Sequence, residues 1–270
     1  MQRGLAAGSI HIRAGPQFSG LARGVIQDIS NTMVASGKTP AKPSPRGRPP
    51  KRADHPDLRV RILDAAEDLF ARHGFYGVTT RQVAREAGVD VALTHYYFGA
   101  KRSLFDEVFL RRAEILNQER LESLDAYEAA HAGRMTPEGA ITAFVNPMIE
   151  RSLSGGAGWK SYFSLVAQVN NTPHWGGETM TRFFDPVVQR LIELLRKAMP
   201  EATDTDLYWG YQFLTGAMML VLAETGRIDL LSNGLCRSGD LDAIRTRLAA
   251  YCAAGFRQMV AGHSAPSSIN

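Results

Sequence analysis

The sequence has few of the features that mark metal sites, disulfide scaffolds or membrane spans. Its 270 residues include two cysteines, Cys236 and Cys252, too few for a structural zinc site or a disulfide framework. The longest apolar run, residues 213–223, is far shorter than the ~20 residues that cross a bilayer, and no apolar segment follows Met1 as a secretory signal would require. We therefore expect a cytoplasmic protein with no bound metal and no membrane partner.

Catalytic motifs are missing too. The chain has no Gly-x-Ser-x-Gly elbow and no His-Glu-x-x-His, and its seven histidines are scattered. Residues 155–161 resemble a phosphate-binding loop only faintly, because Trp159 interrupts the Gly-Lys-Ser order and no strand precedes it. The sequence predicts a protein that is not an enzyme and uses no cofactor.

Positive charge is concentrated in an N-terminal tail. Residues 1–52 carry nine lysines and arginines against one acid, a net charge of +8, although the whole chain carries only +4. Residues 1–55 are rich in Gly, Pro and Ser, and we expect them to be disordered until bound. Arg46 and Arg48 lie in an Arg-Gly-Arg-Pro segment typical of an AT-hook, which inserts arginines into narrow A·T minor grooves. A basic linker that contacts phosphates is the alternative.

Two short helical patterns follow one another closely after residue 78. Thr79 and Thr80 are good N-cap residues for a two-turn helix, and Gly88 can end that helix at positive φ. Asp90 can cap a second helix over residues 91–98. This order is typical of a helix-turn-helix, in which the second helix enters the DNA major groove. An ordinary αα-corner is the alternative.

An amphipathic helix over residues 57–73 precedes this pair. Its predicted apolar stripe is Val60, Ile62, Leu63, Ala66, Leu69 and Phe70. From residue 56 to about residue 110, the chain resembles the DNA-binding domain of the TetR family of bacterial transcriptional repressors. The resemblance departs from the family at Thr94, usually apolar there, and at His95, where many members have Tyr. It rests on Gly74-Phe75, Thr79-Thr80, Val83-Ala84, Ala87-Gly88-Val89, Tyr96-Tyr97-Phe98, Lys101 and Leu104.

The resemblance implies which side chains contact double-stranded operator DNA. The second helix would face base edges, with apolar contacts to thymine methyl groups and a His95 hydrogen bond to a purine, while Arg81 would reach guanine. The others would hold the phosphate backbone, and core packing is the alternative for Tyr96 and Tyr97. The implied set is Thr79, Thr80, Arg81, Gln82, Val91, Ala92, Leu93, His95, Tyr96, Tyr97 and Lys101.

The remainder of the chain has only helical periodicity, so the predicted fold class is all-α. We expect a basic tail (1–55), a three-helix DNA-binding domain (56–102), a helical ligand-binding and dimerisation domain (103–262) and a disordered C-terminus (263–270). A long helix from Lys101 to about Ala126 would connect the two domains, and Pro147 and Pro186 would kink later helices.

The C-terminal half is dense in aromatic residues and methionine. In TetR-like repressors this domain encloses a ligand cavity, and such residues can line one. Taken singly, each is more often a core residue. The candidates for binding a small, largely apolar effector are Phe144, Met148, Trp159, Phe163, His174, Trp175, Phe183, Tyr211 and Met218.

The last two predicted helices carry many small residues and an apolar stripe. Asp204 or Thr205 would cap the first of them, and Asp240 would cap the second. By resemblance they would form a homodimer through a four-helix bundle, and a buried face within one subunit is the alternative. The stripe is Leu241, Ile244, Leu248, Tyr251, Cys252 and Phe256. Together these features predict a ligand-responsive repressor that binds a palindromic operator. The alternatives are a non-specific architectural DNA-binding protein and an enzyme or ligand carrier with a vestigial DNA-binding domain.

Overall fold

A computed structural model describes residues 56–173 and 175–263, and all regular structure within these ranges is helical. The all-α prediction is confirmed. The helices are α1 Pro56–Gly77, α2 Thr80–Glu86, α3 Val91–Phe98, α4 Lys101–His131, α5 Pro137–Ser154, α6 Ala157–Asn170, α7 Gly176–Ala198, α8 Asp204–Leu222, α9 Arg227–Leu231 and α10 Leu241–His263.

Helix α1 packs on α2, α4 and α6. Its buried stripe includes Ile62, Ala66 and Phe70, whereas Val60, expected on the same stripe, is half exposed and points away from it. The regular path breaks at Gly74, where φ is 69° and ψ is 170°. Because glycine reaches this region without strain, the predicted end at residue 73 agrees with the structure, and one further turn follows.

Helix α4 is the longest element of the described chain, with 31 residues, five beyond the predicted end. At 1.5 Å per residue it spans about 45 Å. One side of it is buried along the whole length, from Leu104 and Phe105 to Leu124. It contacts α1 near its start and α5 and α7 further along, so it joins the helix-turn-helix to the later helices.

Helices α5 to α8 surround the second half of α4. Pro147 lies within α5 and Pro186 within α7, and both helices continue through their proline. The glycine joint between α5 and α6 has Gly156 at φ 78°, a left-handed value that lets the chain turn directly into α6. Helix α6 then packs on both α1 and α8.

Two details of the C-terminal helices differ from prediction. Thr203 caps α8 and forms a capping box with Asp206, one residue before Asp204 and two before Thr205, which were the expected caps. The five-residue helix α9 was not predicted, since so short a segment has no helical periodicity to detect. Helix α10 begins as predicted after Asp240, which accepts a hydrogen bond from the Ala243 N–H at 3.0 Å.

Candidate nucleic-acid interface and effector chamber

Side-chain caps fix the angle between α2 and α3. Thr79 Oγ1 accepts from the Gln82 N–H at 3.2 Å, and Gln82 Oε1 accepts from the Thr79 N–H at 2.8 Å. Gly88 follows α2 with φ 64°, and Asp90 accepts from the Ala92 N–H at 2.7 Å to begin α3. The predicted capped helix, glycine turn and second capped helix are therefore present as a helix-turn-helix.

Helix α3 divides its residues between the core and solvent with helical spacing. Thr94 and Phe98, four residues apart, are buried against the other helices. The opposite side presents what we call the readout face, formed by Val91, Ala92, His95 and Tyr96, all of which are exposed. Leu93 and Tyr97 lie between the two sides and are half buried.

The imidazole of His95 is oriented by the end of its own helix. Nδ1 lies 3.0 Å from the Gly99 carbonyl oxygen. A carbonyl only accepts, so Nδ1 carries a proton and donates. In the neutral ring, Nε2 is then a hydrogen-bond acceptor turned toward solvent, suited to the amino group of adenine or cytosine.

The other predicted DNA contacts fall into two groups. Arg81 is exposed on the first turn of α2, and Thr80 beside it is half buried. The positive charge and N–H donors of the Arg81 guanidinium are therefore accessible to DNA. Gln82 uses its carbonyl oxygen in the cap and keeps its amide group for other partners. Lys101 instead donates to the Phe75 and Val78 carbonyls at 2.9 and 3.0 Å. It thus ties α4 to the end of α1, a structural role that sequence reasoning missed.

Arg46 and Arg48 of the AT-hook-like segment, and His174 of the ligand set, lie outside the described residues. Their predicted roles stay predictions.

A small enclosed cavity, the chamber, lies among α4, α5, α6, α7 and α8. Four predicted ligand-binding residues line it, namely Met148, Phe163, Tyr211 and Met218. Its volume is about 20 Å³, little more than a single water molecule requires. In this conformation the chamber is closed, and a larger molecule enters only if the surrounding helices or side chains move apart.

The other predicted ligand-binding residues pack elsewhere. Trp159 lies against Tyr162, with the guanidinium groups of Arg112 and Arg151 5.1 and 5.0 Å from its ring. Phe183 packs on the ring of Phe109.

Trp175 lies near the helix-turn-helix, stacked under Arg102 and donating its indole N–H to the Tyr76 hydroxyl at 3.0 Å. Phe144 does not line the chamber itself, because the Arg120 guanidinium covers its ring, 3.6 Å from the ring centre. Aromatic density alone therefore did not distinguish residues that line the chamber from residues that pack around it.

Arg120, on α4, is a chamber residue that sequence reasoning missed. It is 3% exposed, and burial lowers its pKa to about 10. Because it lies in a charged stretch of sequence, its expected place is the surface. Its spacing from Leu116 and Leu124, four residues to either side on the buried stripe, is the signal that places it inside.

A buried ionic cluster joins the helix-turn-helix to the later helices. The Glu67 carboxylate of α1 is buried, accepting from Arg111 at 2.6 Å and from Arg112 at 2.8 Å, both on α4. Arg112 also covers Trp159 at the start of α6. We call Glu67, Arg111 and Arg112 the Glu67 cluster, and it holds three helices in one arrangement.

Helices α8 and α10 carry an exposed apolar face made of Trp209, Phe213, Leu220 and Tyr251, which are 57–75% exposed. The small residues Gly216 and Gly255 lie open to solvent in the same helices. Only Tyr251 of the predicted stripe belongs to this face. Four other residues of the stripe pack inside the subunit against α5 and α8, namely Leu241, Leu248, Cys252 and Phe256. The alternative of an intramolecular face was correct for those residues.

Within the described ranges, no helix combines the length and apolar character needed to cross a membrane.

Two family models match the chain. The model for bacterial regulatory proteins of the tetR family matches residues 62–108, which cover the helix-turn-helix. The model for the tetracyclin repressor-like C-terminal domain matches residues 142–255.

Curated relatives match mainly over the DNA-binding region. The chain is 45% identical over 58 residues to the HTH-type transcriptional regulator BetI of Agrobacterium fabrum, covering 22% of this chain and 28% of that protein. It is 35% identical over 96 residues to BetI of Brucella anthropi, covering 36% and 46%. The chain thus spans less than half the length of these relatives.

Solved structures share the fold over a longer range. A putative transcriptional regulator from Pseudomonas aeruginosa PAO1 aligns with a TM-score of 0.53 and 18% identity, covering 78% of this chain and 94% of that one. FadR from Bacillus subtilis, solved with stearoyl-CoA, aligns with a TM-score of 0.50 and 12% identity, covering 73% and 98%. At these identities the likeness concerns the fold alone. From its two family matches and its helix-turn-helix, this chain belongs to the TetR family of DNA-binding transcriptional regulators.

Proposed function

We propose that this chain is a ligand-responsive repressor that binds a palindromic operator as a homodimer and is released by a small effector bound in the chamber. The observation that carries the proposal is the continuous packing from the helix-turn-helix to the chamber. Helix α4 packs on α1 and α3 and lines the chamber with Leu116 and Arg120, and the Glu67 cluster fixes α1 to it. A displacement of α4 by a ligand would therefore be passed to the helix-turn-helix.

Operator recognition follows from the exposed side chains of α2 and α3. Val91 and Ala92 offer apolar contacts to thymine methyl groups, and His95 Nε2 offers an acceptor. Arg81 offers a bidentate donor pair for guanine. Contacts from Thr80 and Tyr96 to phosphates would set the register of the helix in the groove.

Dimerisation is supported by the apolar face on α8 and α10. Trp209, Phe213, Leu220 and Tyr251 are large apolar side chains left in water by the isolated chain, and a contiguous exposed apolar patch is typical of a protein interface. The open glycines Gly216 and Gly255 permit close approach of a second helix. A two-fold pair would address two operator half-sites about one helical turn apart.

Release is a population shift between two conformations of the dimer. The effector must prefer the non-binding state by about 5.5 kcal/mol to reverse a 99:1 equilibrium. Because the chamber is closed, with a volume of about 20 Å³, its opening is the step through which the effector would acquire that preference. That FadR of Bacillus subtilis was solved with stearoyl-CoA supports a role for this fold in binding amphipathic molecules.

The test is binding to the protein's own upstream DNA by mobility shift across a salt series. Arg81→Ala and His95→Ala should each weaken specific binding by about 1–3 kcal/mol, or roughly 5- to 150-fold. Arg134→Ala, at an exposed site in the α4–α5 turn, is the matched control and should bind like the wild type. Specific binding that persists unchanged in both variants would refute the assigned roles.

A version that starts at Ala53 separates the repressor from the architectural alternative. If the basic tail is an auxiliary clamp, the truncated protein should keep its operator preference. The slope of log K against log salt should become shallower by about 0.9 for each phosphate that the tail neutralises in the full-length protein. Binding that requires residues 1–52 and is indifferent to sequence would instead favour a non-specific DNA-binding protein.

A further inference from the structure

Arg120 is a buried cation whose charge no carboxylate in the described chain neutralises. Its guanidinium makes one hydrogen bond to protein among the described residues, from Nε to the Phe144 carbonyl at 3.1 Å. Burial lowers the pKa of this guanidinium, and the nearby hydroxyls of Tyr211 and Tyr162 raise it by less. Buried charges are normally paired, because the desolvation of an isolated charge is strongly unfavourable.

Two other polar groups of the chamber can also donate a hydrogen bond. Asn170 Nδ2 and Thr215 Oγ1 are buried without a hydrogen-bond partner, and both residues line the chamber. Among the described residues, no aspartate or glutamate lines it. An arginine fork, an amide N–H group and a hydroxyl that converge on one space form a donor set for an anion.

The remaining walls of the chamber are apolar and adaptable. Met148, Met180, Met218 and Met219 contribute to them, together with Phe163 and Phe184. Methionine has three rotatable bonds and repacks at low cost, so these side chains can move aside without displacing the backbone of every helix. The space that opens would be apolar, with a single positive charge at the α4 side.

We propose that the effector is an amphipathic monocarboxylate, whose carboxylate pairs with Arg120 and whose hydrocarbon body lies among the methionines of the chamber. This proposal rests on the proposed function of the chamber as the effector site. One arginine matches one negative charge. A phosphate dianion would leave its second charge buried and unpaired, at a cost that a monocarboxylate avoids. A cation would be repelled.

The position of Arg120 explains how the binding of such a ligand would affect the DNA-binding unit. Arg112 of the Glu67 cluster precedes it by eight residues on α4, about 12 Å along the helix axis. Arg120 is now held over the Phe144 ring of α5. A carboxylate that draws it toward the centre of the chamber would pull on α4, and through the Glu67 cluster on α1.

The experiment measures ligand affinity and thermal stability of the full-length chain with matched pairs of ligands. The pairs are octanoate with octanamide and phenylacetate with phenylacetamide, and octyltrimethylammonium is the cationic control. In the wild type, at least one carboxylate should bind roughly 10- to 100-fold more tightly than its amide, as a charge-assisted hydrogen bond implies. Octyltrimethylammonium should not bind.

Arg120→Met removes the charge and keeps the length of the side chain. It should reduce the carboxylate-to-amide ratio to near one, and without ligand it should raise Tm, because an unpaired buried charge is removed. Arg120→Lys should keep part of the preference, and Arg134→Met, at an exposed site, should keep all of it. If Arg120 were only structural, Arg120→Met would lower Tm and leave the ligand preference unchanged.

Operator binding by the wild type is measured in parallel, so that the two proposals fail separately. Release of the operator by the amides and not by the carboxylates would overturn the carboxylate assignment and leave the repressor in place. Carboxylate binding that depends on Arg120, without any operator preference, would support the ligand assignment and refute the repressor. Equal affinity for both members of each pair in the wild type would overturn the assignment.

Discussion

The packing of α8 against α10 provides a sharp test, because two glycines of α8 lie in opposite environments. A Cβ on Gly210 would lie 2.5 Å from Phe256 Cδ1 and Cζ and closer still to Cε1. Phe256 is 1% exposed and cannot move into solvent. A Cβ on Gly216 would meet no atom of the described chain within 4 Å. Gly210→Ala therefore overpacks the interior, whereas Gly216→Ala does not.

The expected magnitude follows from two opposing effects. Alanine favours the helix over glycine by about 1 kcal/mol at either site. Overpacking a closed core costs about 1–3 kcal/mol, and only Gly210→Ala incurs that cost. The gain from helix preference is the same in both variants and cancels when they are compared. Gly210→Ala should therefore be less stable than Gly216→Ala by about 1–3 kcal/mol. For a domain of this size the Tm values should differ by roughly 2–12 °C.

The assay is thermal unfolding followed by circular dichroism at one protein concentration, with sedimentation to report association. Gly216 borders the apolar face, so Gly216→Ala should weaken any dimer while leaving the fold intact. Equal Tm values for the two variants would refute the argument that Gly210 is required for the position of Phe256. A fully dimeric Gly216→Ala protein would argue against close helix approach at that glycine.

Two further predictions concern ionic contacts. Hydrogen bonds from Lys197 and then Arg190 lower the pKa of Glu128 below its ordinary 4.5. The wild type should therefore be more stable than Glu128→Gln at pH 7, and the difference in stability should disappear as the pH falls through the lowered pKa of Glu128. Urea unfolding midpoints measured at pH 7, 5 and 3 would contradict this if the two proteins differed by the same amount at every pH. Glu67→Gln should lower the free energy of unfolding by about 1.5–3 kcal/mol, because the Arg111 guanidinium is left without its buried carboxylate; an unchanged urea midpoint would exclude a stabilising role for the Glu67 cluster.

Local signals in the sequence were reliable where the helix ends are made by neighbouring residues. Thr79, Gly88 and Asp90 act within three residues of the groups they satisfy, so α3 begins and ends where predicted and α2 begins directly after Thr79. The predicted start of α8 is one or two residues late, since Thr203, Asp204 and Thr205 are all acceptable caps. The side chain of Asp206 decides among them by completing the capping box with Thr203.

The candidate sites depended on longer-range contacts. Trp159 and Trp175 are typical residues of ligand cavities, yet arginines from α4 cover both rings and keep them away from the chamber. Arg120 is a charged residue of the kind usually found at the surface, yet it lies inside. Most of the predicted interface stripe on α10 is turned inward against α5 and α8, and the exposed apolar face combines Tyr251 of that stripe with residues of α8 such as Trp209 and Phe213.

The sequence by itself determined the helical fold class, the helix-turn-helix and the family, because caps, glycine turns and 3.6-residue periodicity act between residues close along the chain. Only the tertiary structure decided which polar group enters the chamber and which apolar face remains outside. Those outcomes depend on the rotation of each helix against neighbours far away in sequence. Neighbouring residues of a helix point about 100° apart around its axis. A rotation of the helix by that angle is enough to exchange an inward arginine for an outward one.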